Sequence, residues 1–225
     1  MSARVDHLVV AAARLDEGVA WCEATLGVVP APGGEHPLMG THNRLLRVAT
    51  VDYPRAYLEI IAVQPGKGPQ RGRRWFDLDD ESVRDRLARN GPSLLHFAAS
   101  VPDMRTALAA WRGLDIARGE PLAASRMTPR GLLEWQITVR DDGQRLFDGV
   151  LPTLIEWGTT HPASALPESG VTLQSLSVAH PQAATLRRAY DAIGLESVAI
   201  KDGAANLCAV LETPRGRLRL ASEGL

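Results

Sequence analysis

Cysteine is scarce: the 225 residues hold two, Cys22 and Cys208, with no CxxC spacing. There is thus no sign of a disulfide framework, and both read as ordinary buried thiols. Long apolar runs are missing too. No stretch approaches the roughly 18 uninterrupted apolar residues of a membrane span, and the opening MSARVDHLVV lacks the apolar core of a signal peptide. The expected address is therefore the cytoplasm, with no membrane partner. Charge of one sign is not in excess either: 25 basic against 26 acidic residues give a formal net charge of -1, so nothing global attracts nucleic acid. A small-molecule partner is the expectation. The one glycine-rich string, Gly66 to Gly72 (GKGPQRG), lacks the Lys-Ser/Thr ending of a phosphate-binding loop, which removes a nucleotide site.

What the chain does have is 45% hydrophobic residues, enough for a substantial core in one large domain or two small ones, and an internal repeat. The first block opens on the apolar run Arg4 to Val10, continues with Leu15, Val19, Cys22 and Leu26 at helical spacing, and reaches Gly27. The second repeats this order with Leu94 to Ala99, then Met104, Ala107, Leu108 and Trp111, then Gly113. A third follows with Val171 to Val178, then Leu186, Ala189, Tyr190 and Ile193, then Gly194. Further strands are expected after each helix: 43–49 and 56–63, 131–139 and 152–158, and 197–201, 206–212 and 217–221. Each block is approximately β-α-β-β-β, which makes the fold class α+β. The expected organisation is one domain over 1–163, with modules at about 4–63 and 93–158, and a third module over 171–225. The link 64–92 should carry a short helix beginning near Asp79 with Val83 and Leu87 inward.

Ionisable residues inside apolar strands are the exceptions that carry chemistry, because a buried charge needs a partner or a metal. Four stand out: His7 and His96 on the first strands of blocks one and two, Glu59 and Glu156 on the last. Each block supplies one imidazole and one carboxylate. If first and last strands of a block are neighbours, two blocks closing face to face bring His7, Glu59, His96 and Glu156 to one divalent metal, whether zinc, nickel, iron, manganese or cobalt. In block three, alignment on the prolines puts Ser175 at the place of His96, and alignment on the last strand puts Arg219 at that of Glu59. Block three therefore supports the fold, covers an end of the sheet or makes a subunit contact, and leaves a homodimer open.

Paired β-α-β-β-β modules with His and Glu on their first and last strands resemble the vicinal-oxygen-chelate superfamily, which includes glyoxalase I, extradiol dioxygenases and antibiotic-resistance proteins. The segment Gly33 to Asn43 (GGEHPLMGTHN), the strand Tyr57 to Ile61 (YLEII) and the ending Leu154 to Gly158 (LIEWG) are similar to those of glyoxalase-like domain proteins. The resemblance implies metal-dependent lyase or isomerase chemistry on a small vicinal-oxygen substrate, with Glu59 or Glu156 as general base. It equally admits a non-catalytic binding protein of the resistance type, or an extradiol-type dioxygenase.

Around these, Thr41, His42 and Asn43 follow a glycine-rich loop and are candidates for substrate contact. Arg74, in the run Arg71, Arg73, Arg74 beside Trp75, is a candidate clamp for an anionic group. His36 and His161 read as surface loop residues, His180 as a helix start, and Trp135 and Trp157 as core.

Overall fold

The computed structural model describes residues 2–70, 72–128 and 131–224; Arg71 of the basic run lies outside them. The first module is β1 (Arg4–Ala11), α1 (Leu15–Leu26), β2 (Ala31–His36), β3 (Thr41–Arg47) and β4 (Tyr57–Val63). After α2 (Glu81–Asn90) comes the second: β5 (Ser93–Ser100), α3 (Met104–Arg112), β6 (Glu120–Thr128), β7 (Gly131–Val139) and β8 (Thr153–Trp157). The third unit is β9 (Thr172–Ala179), α4 (Ala183–Ile193), β10 (Val198–Lys201), β11 (Asn206–Thr213) and β12 (Gly216–Ala221). The helix expected in the link is α2. Asp80 caps it by accepting from the Ser82 N–H at 2.8 Å, and Val83 and Leu87 are its buried residues.

The first two modules build one eight-stranded sheet in the order β2-β3-β4-β1-β5-β8-β7-β6. Within each module the first strand runs parallel to the last, β1 with β4 and β5 with β8, and an antiparallel β1–β5 seam joins the halves. Both faces of the central strands are covered, so β1, β4 and β5 read as nearly continuous apolar runs. The outer face, with Leu8, Val10, Leu58, Ile60 and Phe97, packs against Cys22 and Leu26 of α1 and Met104, Leu108 and Trp111 of α3. The inner face, with Val9, Ile61, Leu95, Ile137 and Ile155, is plugged by the link through Trp75, Phe76, Val83 and Leu87. The sheet curls until its edges meet: a Cβ on Gly34 of β2 would collide with the Arg126 guanidinium of β6.

The third unit repeats the element order but not the topology. Its sheet runs β10-β9-β11-β12, so β9 pairs parallel with β10 and β12 lies at the edge. Arg219 on β12 therefore does not sit beside β9, and its equivalence to Glu59 fails. Leu173, Leu176, Leu186 and Tyr190 join the same outer core. Trp111 Nε1 donates to the Ala189 carbonyl at 2.7 Å, and Tyr53 Oη donates to the Ser197 carbonyl at 2.9 Å.

Candidate functional site

The site begins with a register shift. Between β1 and β5 the pairing steps from Val5↔Ala99 to His7↔Ala98, which leaves Asp6 as an extra residue in β1. Such a bulge lets consecutive side chains serve one region instead of opposite faces. Asp6 is fully buried; its Oδ1 lies 2.7 Å from His7 Nδ1, and its Oδ2 accepts from Trp157 Nε1 at 2.8 Å and lies 3.0 Å from His161 Nε2. Burial alone would raise the Asp6 pKa, but the hydrogen bonds from His161 and His7 hold the carboxyl well below the usual range. For His7, burial opposes charging; the hydrogen bond to Asp6 and the charges of Asp6 and Glu59 win and raise its pKa above 6.5. His7 also stacks on Tyr57, with centroids 4.7 Å apart.

With Nδ1 bound to Asp6, the other nitrogen of His7 faces the neighbouring strand. His7 pairs with Tyr57 in the β1–β4 register, so Glu59, two residues on, is its diagonal neighbour. Glu59 Oε2 lies 3.6 Å from His7 Nε2, beyond hydrogen-bonding range. The other Glu59 oxygen, Oε1, accepts from Asn43 Nδ2 at 2.6 Å, and Asn43 in turn accepts the Gly34 N–H at 2.8 Å. A Cβ at Gly33 would strike the Asn43 side chain, which explains a glycine there. His36 completes the group: its Nδ1 is 3.0 Å from Thr41 Oγ1 and its Nε2 is 3.9 Å from Glu59 Oε1. Burial, against the pull of Glu59, pushes the His36 pKa down to about 4.

Of the four residues expected to converge, the structure brings together His7 and Glu59. His96 has both nitrogens engaged elsewhere: Nδ1 donates to the Gly149 carbonyl at 2.8 Å, and Nε2 accepts the Thr153 N–H at 3.1 Å. Burial and then the buried Arg118 guanidinium, 3.4 Å from Nε2, hold the His96 pKa well below its ordinary value. Glu156 sits on the other face of β8 from Ile155 and Trp157, where its carboxylate accepts the Met104 N–H at 2.6 Å and caps α3. The register explains this. Ala98 pairs with Thr153; counting back two residues on both strands sets His96 opposite Leu151, so the place that Glu59 holds beside His7 is taken by Thr153. The matched spacings in the sequence are offset by three residues from the structural equivalence.

This decides the fit to a divalent ion. His7 Nε2 and Glu59 Oε2 are two donors at a separation one ion could span. The remaining two of the set do not fit: His96 presents an occupied nitrogen beside a cationic guanidinium, and Glu156 faces a helix. Among the described residues no group of three or more His, Cys, Asp and Glu side chains is arranged to hold a metal.

Of the substrate-contact candidates, strand alternation divides the three in β3. Thr41 and Asn43 are buried in the site, whereas His42 turns to the opposite side and lines a cleft with Arg14, Asp16 and Arg44. Arg74 is spent structurally, bridging Asp79 at 2.5 Å and the Lys67 carbonyl. His36 and His161, expected on surface loops, both belong to the site, His36 largely covered and His161 buried, because β2 continues to His36 and the segment after β8 folds His161 back onto Asp6. Trp135 and Trp157, expected in the core, pack against the inner core as partly buried residues and also line the cleft. His180 precedes α4 as expected, its Nδ1 accepting the Gln182 N–H at 3.0 Å. Asp6 and Arg126 were not singled out by the sequence reading. An acidic residue directly before His7 was the available signal for Asp6.

The cleft has two parts. The mouth, of about 570 Å3, opens between His36 to Met39 and strands β6–β8, within the range of small-ligand sites. It narrows past Trp75, Trp135 and Trp157 to an inner chamber of about 30 Å3 at His7 and Glu59, walled also by Tyr57, Phe76 and Arg126. That chamber admits only the compact end of a small ligand.

Paired parallel-closed modules around such a cleft define the vicinal-oxygen-chelate class of α+β proteins. The chain belongs to the glyoxalase-like domain family, whose sequence profile matches residues 5–194. Among solved structures, it is similar to a hypothetical protein from Staphylococcus aureus at 13% identity, with a TM-score of 0.62 over 91% of this chain and 88% of that one. A methylmalonyl-CoA epimerase in complex with methylmalonyl-CoA matches at 22% identity and TM-score 0.44, over 72% of this chain and 99% of that one. The methylmalonyl-CoA epimerase from Mycobacterium tuberculosis matches at 18% identity and TM-score 0.38, over 72% and 91%. No curated protein gives a significant match. No described helix is long and apolar enough to cross a membrane.

Proposed function

We propose that the protein is a glyoxalase-like isomerase or lyase that moves a proton at a carbon next to a carbonyl of a small oxygen-rich substrate. The observation that carries this reading is the buried His7–Glu59 pair, with Asp6 behind His7 and Asn43 behind Glu59. Glu59 Oε2 takes the proton from carbon, and the C–H electron pair moves into the carbonyl to give an enolate. The enolate oxygen accepts a hydrogen bond from His7 Nε2–H, whose charge Asp6 sustains. Return of the proton to the opposite face of the same carbon completes an epimerisation. Where that carbon carries a hydroxyl, passage of the hydroxyl proton to the enolate oxygen and return of the abstracted proton to the former carbonyl carbon completes a 1,2-isomerisation. Departure of a leaving group from the carbon on its far side from the carbonyl completes a lyase reaction. Asn43 fixes the Glu59 carboxylate, and the three tryptophans keep bulk water from the chamber.

The test is deuterium incorporation, followed by proton NMR in D2O, over a panel of 2-oxoaldehyde thiol adducts, 2-oxo acids and 2-hydroxy ketones. Incorporation at the acidic carbon, lost in His7→Gln, supports the reading. The aromatic mouth favours a second reading, sequestration of a small molecule without turnover. Saturable binding across the panel with no incorporation would establish that one and overturn proton transfer.

A further inference from the structure

The chamber walls carry two buried nitrogen donors with no acceptor among the described residues: Arg126 Nη1 and Trp75 Nε1. Both residues line the chamber with His7 and Glu59, and Trp75 is 7% exposed. Buried donors of this kind are rare, and an unmatched one at a site wall signals a missing acceptor. No carboxylate among the described residues pairs with Arg126, the one arginine among the residues lining the mouth and the chamber, whereas Arg74, Arg140 and Arg145 are spent on Asp79, Asp142 and Asp77. Its position is fixed by the fold. Arg126 pairs with Leu133 in the β6–β7 ladder, both point into the chamber, and the absence of a side chain at Gly34 makes room for the guanidinium. Its charge reaches His36 and Tyr57, the neighbours of Glu59.

We infer that Arg126, with Trp75, forms a carboxylate clamp, and that the substrate is a small monocarboxylate whose acidic carbon lies next to a carbonyl. The acceptor must be an anion with two oxygens, since a guanidinium binds carboxylate and phosphate in bidentate fashion. Two features of the chamber select carboxylate. The chamber of about 30 Å3 favours the smaller of the two anions, and the Glu59 carboxylate in the same chamber repels a dianion more than a monoanion. With the substrate carboxylate on Arg126, the remainder of the molecule extends toward His7 and Glu59, so the clamp sets which carbon meets the base.

This inference rests on the proton-transfer reading for the orientation of the substrate, but its test reads binding alone. Pyruvate, 2-oxobutyrate and lactate, each beside its neutral amide, are titrated by calorimetry into the full-length protein and into Arg126→Gln, Arg126→Lys and Trp75→Phe. The expected result is saturable binding of at least one acid, weakened at least about ten-fold as the amide and at least about ten-fold in Arg126→Gln, with the amide indifferent to that substitution. Arg126→Lys, which keeps the charge and loses the fork, should fall between, and Trp75→Phe should weaken binding less than Arg126→Gln. Amides that bind as well as the acids, acids that bind folded Arg126→Gln as well as the parent, or no binding of any acid would overturn the clamp. Glu59→Gln separates the two claims. If it still binds the acid while the parent shows no deuterium incorporation, the clamp stands and proton transfer fails; incorporation that survives Arg126→Gln at unchanged KM leaves proton transfer standing and the clamp refuted.

Discussion

Asp6→Asn is the most informative single substitution, because it keeps the shape of the side chain and removes only the charge that three groups face. His7 Nδ1 lies 2.7 Å from one oxygen, and Trp157 Nε1 and His161 Nε2 lie 2.8 and 3.0 Å from the other. An asparagine can keep its carbonyl toward Trp157 and His161 only by turning its NH2 toward His7, which must then accept at Nδ1 and carry its proton on Nε2. Three charge-assisted hydrogen bonds become neutral ones. At about 1 kcal/mol each, the loss is about 3 kcal/mol, or a fall in Tm of about 6 to 12 °C for a chain of this size. The pH dependence has a definite sign. A raised His7 pKa gives stability that is complete below about 6.5 and lost as pH rises through the raised value; a depressed Asp6 pKa gives stability present above about 3.8 and lost as pH falls toward its folded value. The penalty of Asp6→Asn should thus be greatest near pH 6 and shrink as His7 deprotonates. Urea unfolding at several pH values measures it, and NMR titration of the His7 ring should show its midpoint move from above 6.5 to below it. A loss under about 1 kcal/mol with the His7 midpoint unmoved would refute this account of the site.

Glu156→Ala removes the acceptor of the Met104 N–H at the start of α3; it should cost about 1 kcal/mol in urea unfolding and leave the His7 titration unchanged. His36 works in the opposite direction to His7. Its pKa, depressed from 6.5 to about 4, gives stability that is complete above about 6.5 and lost as pH falls toward 4, an effect of up to about 3 kcal/mol. His36→Asn should flatten that part of the stability profile, and an unaltered acid limb would show that His36 is not held neutral.

Local pattern made the central strands, α2 and the His7–Glu59 pair legible, because both residues interrupt apolar runs and the parallel pairing of first and last strands sets them side by side. What escaped depends on register. Asp6 joins the site through a bulge that no alternation reveals. Glu156 looked equivalent to Glu59 by spacing, but Thr153 holds that position, a difference of three residues that only the β5–β8 ladder exposes. β2, with the sequence APGGEH, has neither the composition nor the alternation of a strand, so His36 read as a loop residue. Arg126 lies in β6, an edge strand without a strong apolar pattern, and it gains meaning only when the curled sheet brings that edge to Gly34. In the third unit the element order repeats, but β10 takes the place beside the first strand that the last strand holds in the other two, and order alone does not encode neighbours.

The claim at the centre is that Glu59, and not Glu156, moves the proton. It is tested most directly by deuterium incorporation into whichever substrate of the panel the parent protein labels, compared between Glu59→Gln and Glu156→Gln under conditions where both are folded. Loss of at least about 100-fold in Glu59→Gln, with Glu156→Gln near the parent rate, is the predicted result. Incorporation that survives Glu59→Gln, or that fails in Glu156→Gln instead, would contradict it.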